Sequence, residues 1–192
     1  LISENGKLVD ALSILKNEMV GSYCFTFLTD EPSVFAARDP RGFRPLVLGE
    51  KKDGATHIIA SESSALSAIG AELKRDVTPG ELIKFSKNGI ENEMFSKEVS
   101  RAHCSFEFTY FAHPSSKMEG TNIYVSRKRI GKYLAKKFPI RDADLVIPVP
   151  DSARPAALGY AQELGIPFDE GLLKDRYSKK GPLRSFIEPH QI

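Results

Sequence analysis

Residues 144–176 read DLVIPVPDSARPAALGYAQELGIPFDEGLLKDR. The apolar run Leu145–Val149 has the texture of a buried parallel strand. A polar turn, Asp151-Ser152-Ala153-Arg154, follows at once, and the spacing predicts a helix over 154–164 with Pro155 in its first turn, where a missing N–H costs least. Gly165-Ile166-Pro167 then turns the chain toward a second strand over 168–173. Strand, tight polar turn and helix N-terminus in that order make a place for an anion, because unpaired N–H groups and the positive end of the helix dipole converge on the turn. Read from pattern alone, the turn is either such a phosphate site or a plain βα turn of a parallel sheet.

Outward from this stretch, Ile123–Phe138 reads as a helix, with Ile123, Ile130, Leu134 and Phe138 on one face and Lys132, Lys136 and Lys137 on others. Together these segments look like the opening of an α/β parallel sheet. Toward the N-terminus the texture differs. Leu8, Ala11, Leu12 and Leu15 predict an amphipathic helix over 7–19, stopped by Gly21. Short strands are predicted over 23–29, 33–38, 45–49, 57–60, 81–86 and 90–95. Asp39-Pro40, Asp53-Gly54, Pro79-Gly80 and Asn88-Gly89 punctuate them, the last as a hairpin turn. Ser63–Ile69 reads as a short helix capped by Ser61 and ended by Gly70, and 105–111 as a further strand. Residues 174–192 are charged and unpatterned.

The bulk numbers exclude several classes. A chain of 192 residues with 41% hydrophobic and 27% charged residues can bury a core, as one large domain or two small ones. A net charge of +2 gives no basic surplus for nucleic acid, and the basic helix 123–138 lacks the aromatic interleaving of single-strand binders. No apolar run is long enough to span a membrane. Two cysteines, Cys24 and Cys104, are too few for a disulfide scaffold and fit a cytoplasmic protein. Leu1 at the start and Gln191-Ile192 at the end suggest an internal fragment.

Ordered blocks along the chain resemble the glutamine phosphoribosylpyrophosphate amidotransferase family. They are Ala36–Gly49 with its Arg38-Asp39 and Arg44, Ala60-Ser61-Glu62-Ser63, Arg75-Asp76-Val77 with Pro79-Gly80-Glu81, Phe106-Glu107-Phe108 with Tyr110-Phe111-Ala112, and the 144–176 stretch itself. The resemblance implies an α+β N-terminal-nucleophile hydrolase sandwich, partial, followed by an α/β type I phosphoribosyltransferase domain, also partial. Residues 1–111 would form the C-terminal part of the glutaminase domain, 112–122 a junction, and 123–192 the first part of the transferase domain. The implied reaction converts phosphoribosyl pyrophosphate, glutamine and water to phosphoribosylamine, glutamate and pyrophosphate, with magnesium.

By the same resemblance, Asp151, Ser152, Ala153 and Arg154 would hold pyrophosphate. Ser152, or Ala153 in a register shifted by one, would stand where a serine meets magnesium. Lys174, Arg176, Tyr177 and Arg184 would belong to a closing loop, although six residues here replace the family's two between Tyr177 and Arg184. Tyr110 and Tyr177 would wall an ammonia path. Cys104 matches a position that binds a 4Fe–4S cluster in some members, with partner cysteines that would lie beyond Ile192, and none in others; a lone cysteine is usually a small buried hydrophobe. Cys24 reads as structural, and Arg38, Asp39, Arg44, Ser61 and Glu62 as paired charges at strand ends. His113-Pro114-Ser115 departs from the family's Arg-Pro-Asp. A purine-nucleotide inhibitor and a homo-oligomer are implied, without nucleic acid or membrane. Neither active site would be complete within these residues, because the nucleophilic cysteine and the acidic substrate loop lie elsewhere in the family. The competing reading is a noncatalytic phosphoribosyl- or nucleotide-binding regulator on the same fold.

Overall fold

The computed structural model describes residues 7–29, 32–97 and 100–174. Contacts divide the chain after Ile123 into two compact units. In the first, α1 (Leu8–Glu18), β1 (Cys24–Leu28), β2 (Val34–Arg38), β3 (Val47–Lys51), β4 (His57–Ala60), α2 (Ser63–Ala68), β5 (Ala71–Asp76), β6 (Glu81–Ser86) and β7 (Gly89–Met94) follow in order. They form two antiparallel sheets, β1-β2-β6-β7 and β4-β3-β5.

Period-2 alternation sorts the side chains into layers. Phe25, Phe27, Phe35, Ala37 and Leu82 face α1, packing on Leu8, Leu12 and Leu15. Cys24, Ala36, Ile83 and Phe85 face the other way and meet Leu46, Ile59 and Val77. The outer face of the second sheet, with Val47, Ile58, Ala60 and Leu73, is covered by Leu66 of α2. The result is helix, sheet, sheet, helix. Gly49 is what lets α2 approach: a Cβ there would lie 2.6 Å from both methyls of Leu66.

After the sandwich, a π-helix (Glu107–Phe111) and a short hairpin, β8 (Lys117–Met118) and β9 (Thr121–Asn122), lead to α3 (Ile123–Lys137). Phe108, Ala112, Met118 and Ile123 make a small separate core. The second unit holds the body of α3 and α4 (Arg154–Leu164). These two helices cross at glycines. A Cβ on Gly131 would strike the carbonyl oxygen of Ala156, and one on Gly159 that of Lys128.

Four expectations require correction. The strand over 105–111 is a π-helix, because Glu107 is buried against Arg44 and Phe108 enters the small core, which an extended chain would not allow. The strands over 144–149 and 168–173 reduce to one parallel bridge, Val146 with Phe168. Pro148 removes a ladder donor on the first of them, leaving Val146 N–H to donate to Pro167 O at 2.9 Å and Asp169 N–H to Val146 O at 3.2 Å. The N-cap of helix α2 is Glu62 rather than Ser61, and in place of a cap from its own side chain the Ser64 N–H donates to Ser116 Oγ at 3.3 Å. The buried face of α3 is Ile123, Arg127, Gly131 and Ala135, while Ile130, Leu134 and Phe138 are exposed. Three strands are additional: β8 and β9 of the short hairpin, and β5, which is rich in charge and pairs with β3 across a bulge at Leu48/Gly49.

Candidate functional site

Helix α4 starts as its sequence dictates. Pro155 occupies the first turn, Ala157 N–H donates to Ala153 O at 2.9 Å, and Gly165 closes the helix at φ +71°. Ahead of it, Asp151, Ser152 and Ala153 form the turn, entered through a cis Pro150–Asp151 peptide. Arg154 is not an open cation. Its Nε donates to Glu170 Oε1 at 2.7 Å and its Nη1 to Asp151 Oδ1 at 2.5 Å. These two carboxylates, Glu170 foremost, raise the guanidinium's pKa further. Lys174 Nζ lies 3.9 Å from the second oxygen of Asp151. Two cations and two carboxylates therefore surround the turn, and its side-chain charge is balanced. The structure brings Asp151, Arg154 and Lys174 together and adds Glu170, for which the sequence carried no signal. Arg176, Tyr177 and Arg184 lie outside the described residues.

In the first unit, the matched charged blocks pair with partners distant in sequence. Arg38 is 1% exposed, with Nε on Arg44 O at 2.8 Å, Nη1 on Val77 O at 2.7 Å, and Nη2 on Gly42 O at 3.0 Å. Its Nη1 also lies 2.8 Å from Glu119 Oε1. Arg44 pairs with Glu107 at 2.7 Å and sits over the Phe111 ring. Glu62 accepts from His113 N–H at 2.7 Å and Ser116 Oγ at 2.8 Å. Glu81 accepts from both terminal nitrogens of Arg75 and from Thr78 N–H. Tyr110 lies on the exposed side of the π-helix beside Phe111.

A cavity of about 530 Å³ opens between the end of α1 and the 39–43 turn, lined by Lys16, Tyr23, Asp39, Arg41 and Ser96 among others. The Tyr23 hydroxyl is buried there without a partner. Burial, and then the negative Asp39, push its pKa up and keep it protonated. Periodicity gave no hint of this cavity, since it is assembled from three separate segments.

Cys104 is buried, and the other cysteine, Cys24, is likewise a free thiol. A 4Fe–4S cluster takes four ligands, typically thiolates. Among the described residues no group of three His, Cys, Asp or Glu side chains is placed to hold a metal. Cys104 therefore does not fit a cluster site built from these residues. Among the same residues no helix is long and apolar enough to cross a membrane.

Residues 7–68 match the model of the glutamine amidotransferase domain. Over 188 residues the chain is 44% identical to the amidophosphoribosyltransferase of Archaeoglobus fulgidus, covering 98% of this chain and 39% of that protein. The Bacillus subtilis amidophosphoribosyltransferase is 40% identical over 185 residues, 96% of this chain and 36% of the relative. Along nearly its whole length this chain is similar to part of the amidophosphoribosyltransferases. It spans about two fifths of the length of the family members it matches. In three dimensions it superposes on the B. subtilis glutamine phosphoribosylpyrophosphate amidotransferase complexed with ADP and GMP with a TM-score of 0.83 at 37% identity, covering 93% of this chain and 39% of that one. The layered first unit is consistent with the family's glutamine amidotransferase domain.

Proposed function

We propose that the protein, at the length of its relatives, makes phosphoribosylamine from phosphoribosyl pyrophosphate, glutamine and water, releasing glutamate and pyrophosphate. The observation that carries this reading is 44% identity to an amidophosphoribosyltransferase across 98% of the chain, through both compact units. Residues 1–111 would then belong to the glutaminase domain, 112–122 to a junction and 123–192 to the transferase domain.

In this reading the nitrogen freed from glutamine attacks the anomeric carbon as the bond to pyrophosphate breaks, and the leaving group takes the electron pair. The N–H groups of the 151–154 turn and the positive end of α4 receive the pyrophosphate. The Ser152 hydroxyl would meet a magnesium ion accompanying the pyrophosphate, and such an ion would offset the charge of the leaving group. Arg154 reaches an anion by exchanging Asp151 and Glu170 for it, so recognition is a swap of charged partners. Arg176, Tyr177 and Arg184, with Lys174, close over the sugar and exclude water from an oxocarbenium-like carbon. Tyr110 and Tyr177 wall the path of the ammonia. Purine nucleotides would act as inhibitors, in keeping with the ADP and GMP bound to the B. subtilis relative. The family's usual homo-oligomer is expected here as well.

The test measures phosphoribosylamine formation at the relatives' full length, with glutamine and with ammonia as nitrogen donor. Arg176→Ala or Arg184→Ala should lower both by about tenfold or more, the scale of one charge-assisted hydrogen bond, and leave glutamine hydrolysis intact. Unaltered transfer in both variants rejects the closing loop. Absence of amine formation from either donor in the unaltered protein rejects the function.

A further inference from the structure

The segment that runs from the sandwich into α3 is held by Glu62 and Ser63 at the start of α2 and by a short turn, residues 38–44. Ala102 N–H donates to Arg41 O at 2.9 Å and Cys104 N–H to Phe43 O at 3.0 Å. Arg44 grips Glu107 of the π-helix. Arg38 reaches Glu119, in the turn between β8 and β9. Glu119 holds a left-handed backbone at φ +49°, rare for a residue with a side chain, and its N–H donates to Asp76 Oδ1 at 3.2 Å. Four residues later Ile123, fully buried, begins α3, with its N–H on Ser116 O at 3.0 Å.

The Arg38–Glu119 contact has an unusual form. The buried Oε1 is within ion-pair reach of Nη1 yet lacks a hydrogen bond of acceptable angle, while the guanidinium's Nε, Nη1 and Nη2 each donate to a backbone carbonyl. The hairpin is thus drawn to Arg38 by charge rather than by a directed hydrogen bond, and the pull acts in a dry site where Coulomb attraction is strong. Asp39, next in sequence, accepts from Arg41 and Phe43 N–H and borders the Tyr23 cavity.

We propose that Arg38 and Glu119 are positioning residues that couple the glutamine half of the reaction to the amine-transfer half, by fixing the hairpin from which α3 starts. The inference rests on the proposed function. Its test is Glu119→Gln at the relatives' full length, a near-isosteric change that removes only the charge. Glutamine hydrolysis and ammonia-dependent transfer should each stay within about threefold of the unaltered protein, while glutamine-dependent transfer falls about tenfold or more, so that glutamate forms in excess of phosphoribosylamine. Amide hydrogen exchange on the 192-residue chain reads the latch without any activity: in the variant the amides of Glu119, Thr121 and Ile123 should exchange at least tenfold faster, with β2, β3 and β6 unchanged. A looser hairpin with an unchanged ratio of glutamate to amine makes the pair merely structural and overturns the proposal, as does unaltered exchange. If the unaltered protein forms no amine from either nitrogen donor, the proposed function has failed and the coupling with it. The exchange result then shows whether the hairpin latch itself exists.

Discussion

Glu107 has a carboxylate caught between opposing effects. Burial raises its pKa from the usual 4.5, Arg44 lowers it, Glu62 raises it again, and the balance is upward. The folded state thus binds this proton more tightly than the unfolded chain does. The group's stabilising share is full below pH 4.5 and is lost as pH rises through its folded pKa. Urea unfolding from pH 4 to 7 should show the unaltered chain losing stability with rising pH relative to Glu107→Gln. Parallel curves would mean that Arg44 cancels the burial cost. At Cys24, burial pushes the thiol up to about 11. At pH 8 roughly one part in a thousand is thiolate, and the thiolate is the nucleophile. Cys24 should resist iodoacetamide under conditions that alkylate free glutathione fully, with mass spectrometry as the readout; prompt labelling would show the strand opening readily.

Among the elements, the crossing of α3 and α4 depends on two residues without side chains. Because the atoms that a Cβ on Gly131 or Gly159 would meet are backbone carbonyls, no rotamer change relieves the contact. Gly131→Ala and Gly159→Ala should each cost about 1–3 kcal/mol or more, the range of overpacked cores, offset only slightly by Ala's better helix propensity. Denaturation followed by far-UV circular dichroism measures this. An unchanged or raised midpoint would mean that the helices pass farther apart. β5 illustrates the opposite situation. Its Glu72, Lys74 and Arg75 suit a sheet edge, where charge discourages pairing with foreign strands; the same charges hide it from a reading based on strand propensity. Its place is secured by pairing with β3 and by Arg75 on the 2% exposed Glu81.

Across the whole molecule both units leave some large apolar side chains exposed, Val20 and Leu28 among them in the first. The first stacks four layers and covers both sheets. Within the second, Tyr133, Leu134, Phe138, Val149 and Leu173 stand between 48% and 83% exposed. Exposed large apolar side chains, where they adjoin, bind partners or dyes. The 192-residue chain should therefore bind anilinonaphthalene sulfonate at neutral pH, and Leu134→Lys with Phe138→Lys should reduce the fluorescence severalfold without changing the sandwich. Dye binding that is negligible, or insensitive to both substitutions, would place those side chains in a covered surface.

Elements governed by neighbouring residues were legible from the chain alone. The spacing of Leu8, Leu12 and Leu15 specified α1, Asn88-Gly89 the β6–β7 hairpin, and Pro155 with Gly165 both ends of α4, since periodicity, a turn residue or a cap acts within a few positions. The charged blocks around Arg38, Arg44 and Glu62 were visible as charges that need partners, but not which partners. Glu107, Glu119, Ser116 and Glu170 reach their places only when distant segments pack, and no local rule encodes that meeting. The same competition replaced the strand expected over 105–111 with a helical turn whose Glu107–Phe111 part is a π-helix. The local preference there is worth less than burying Glu107 on Arg44 and Phe108 in the core beside Ile123.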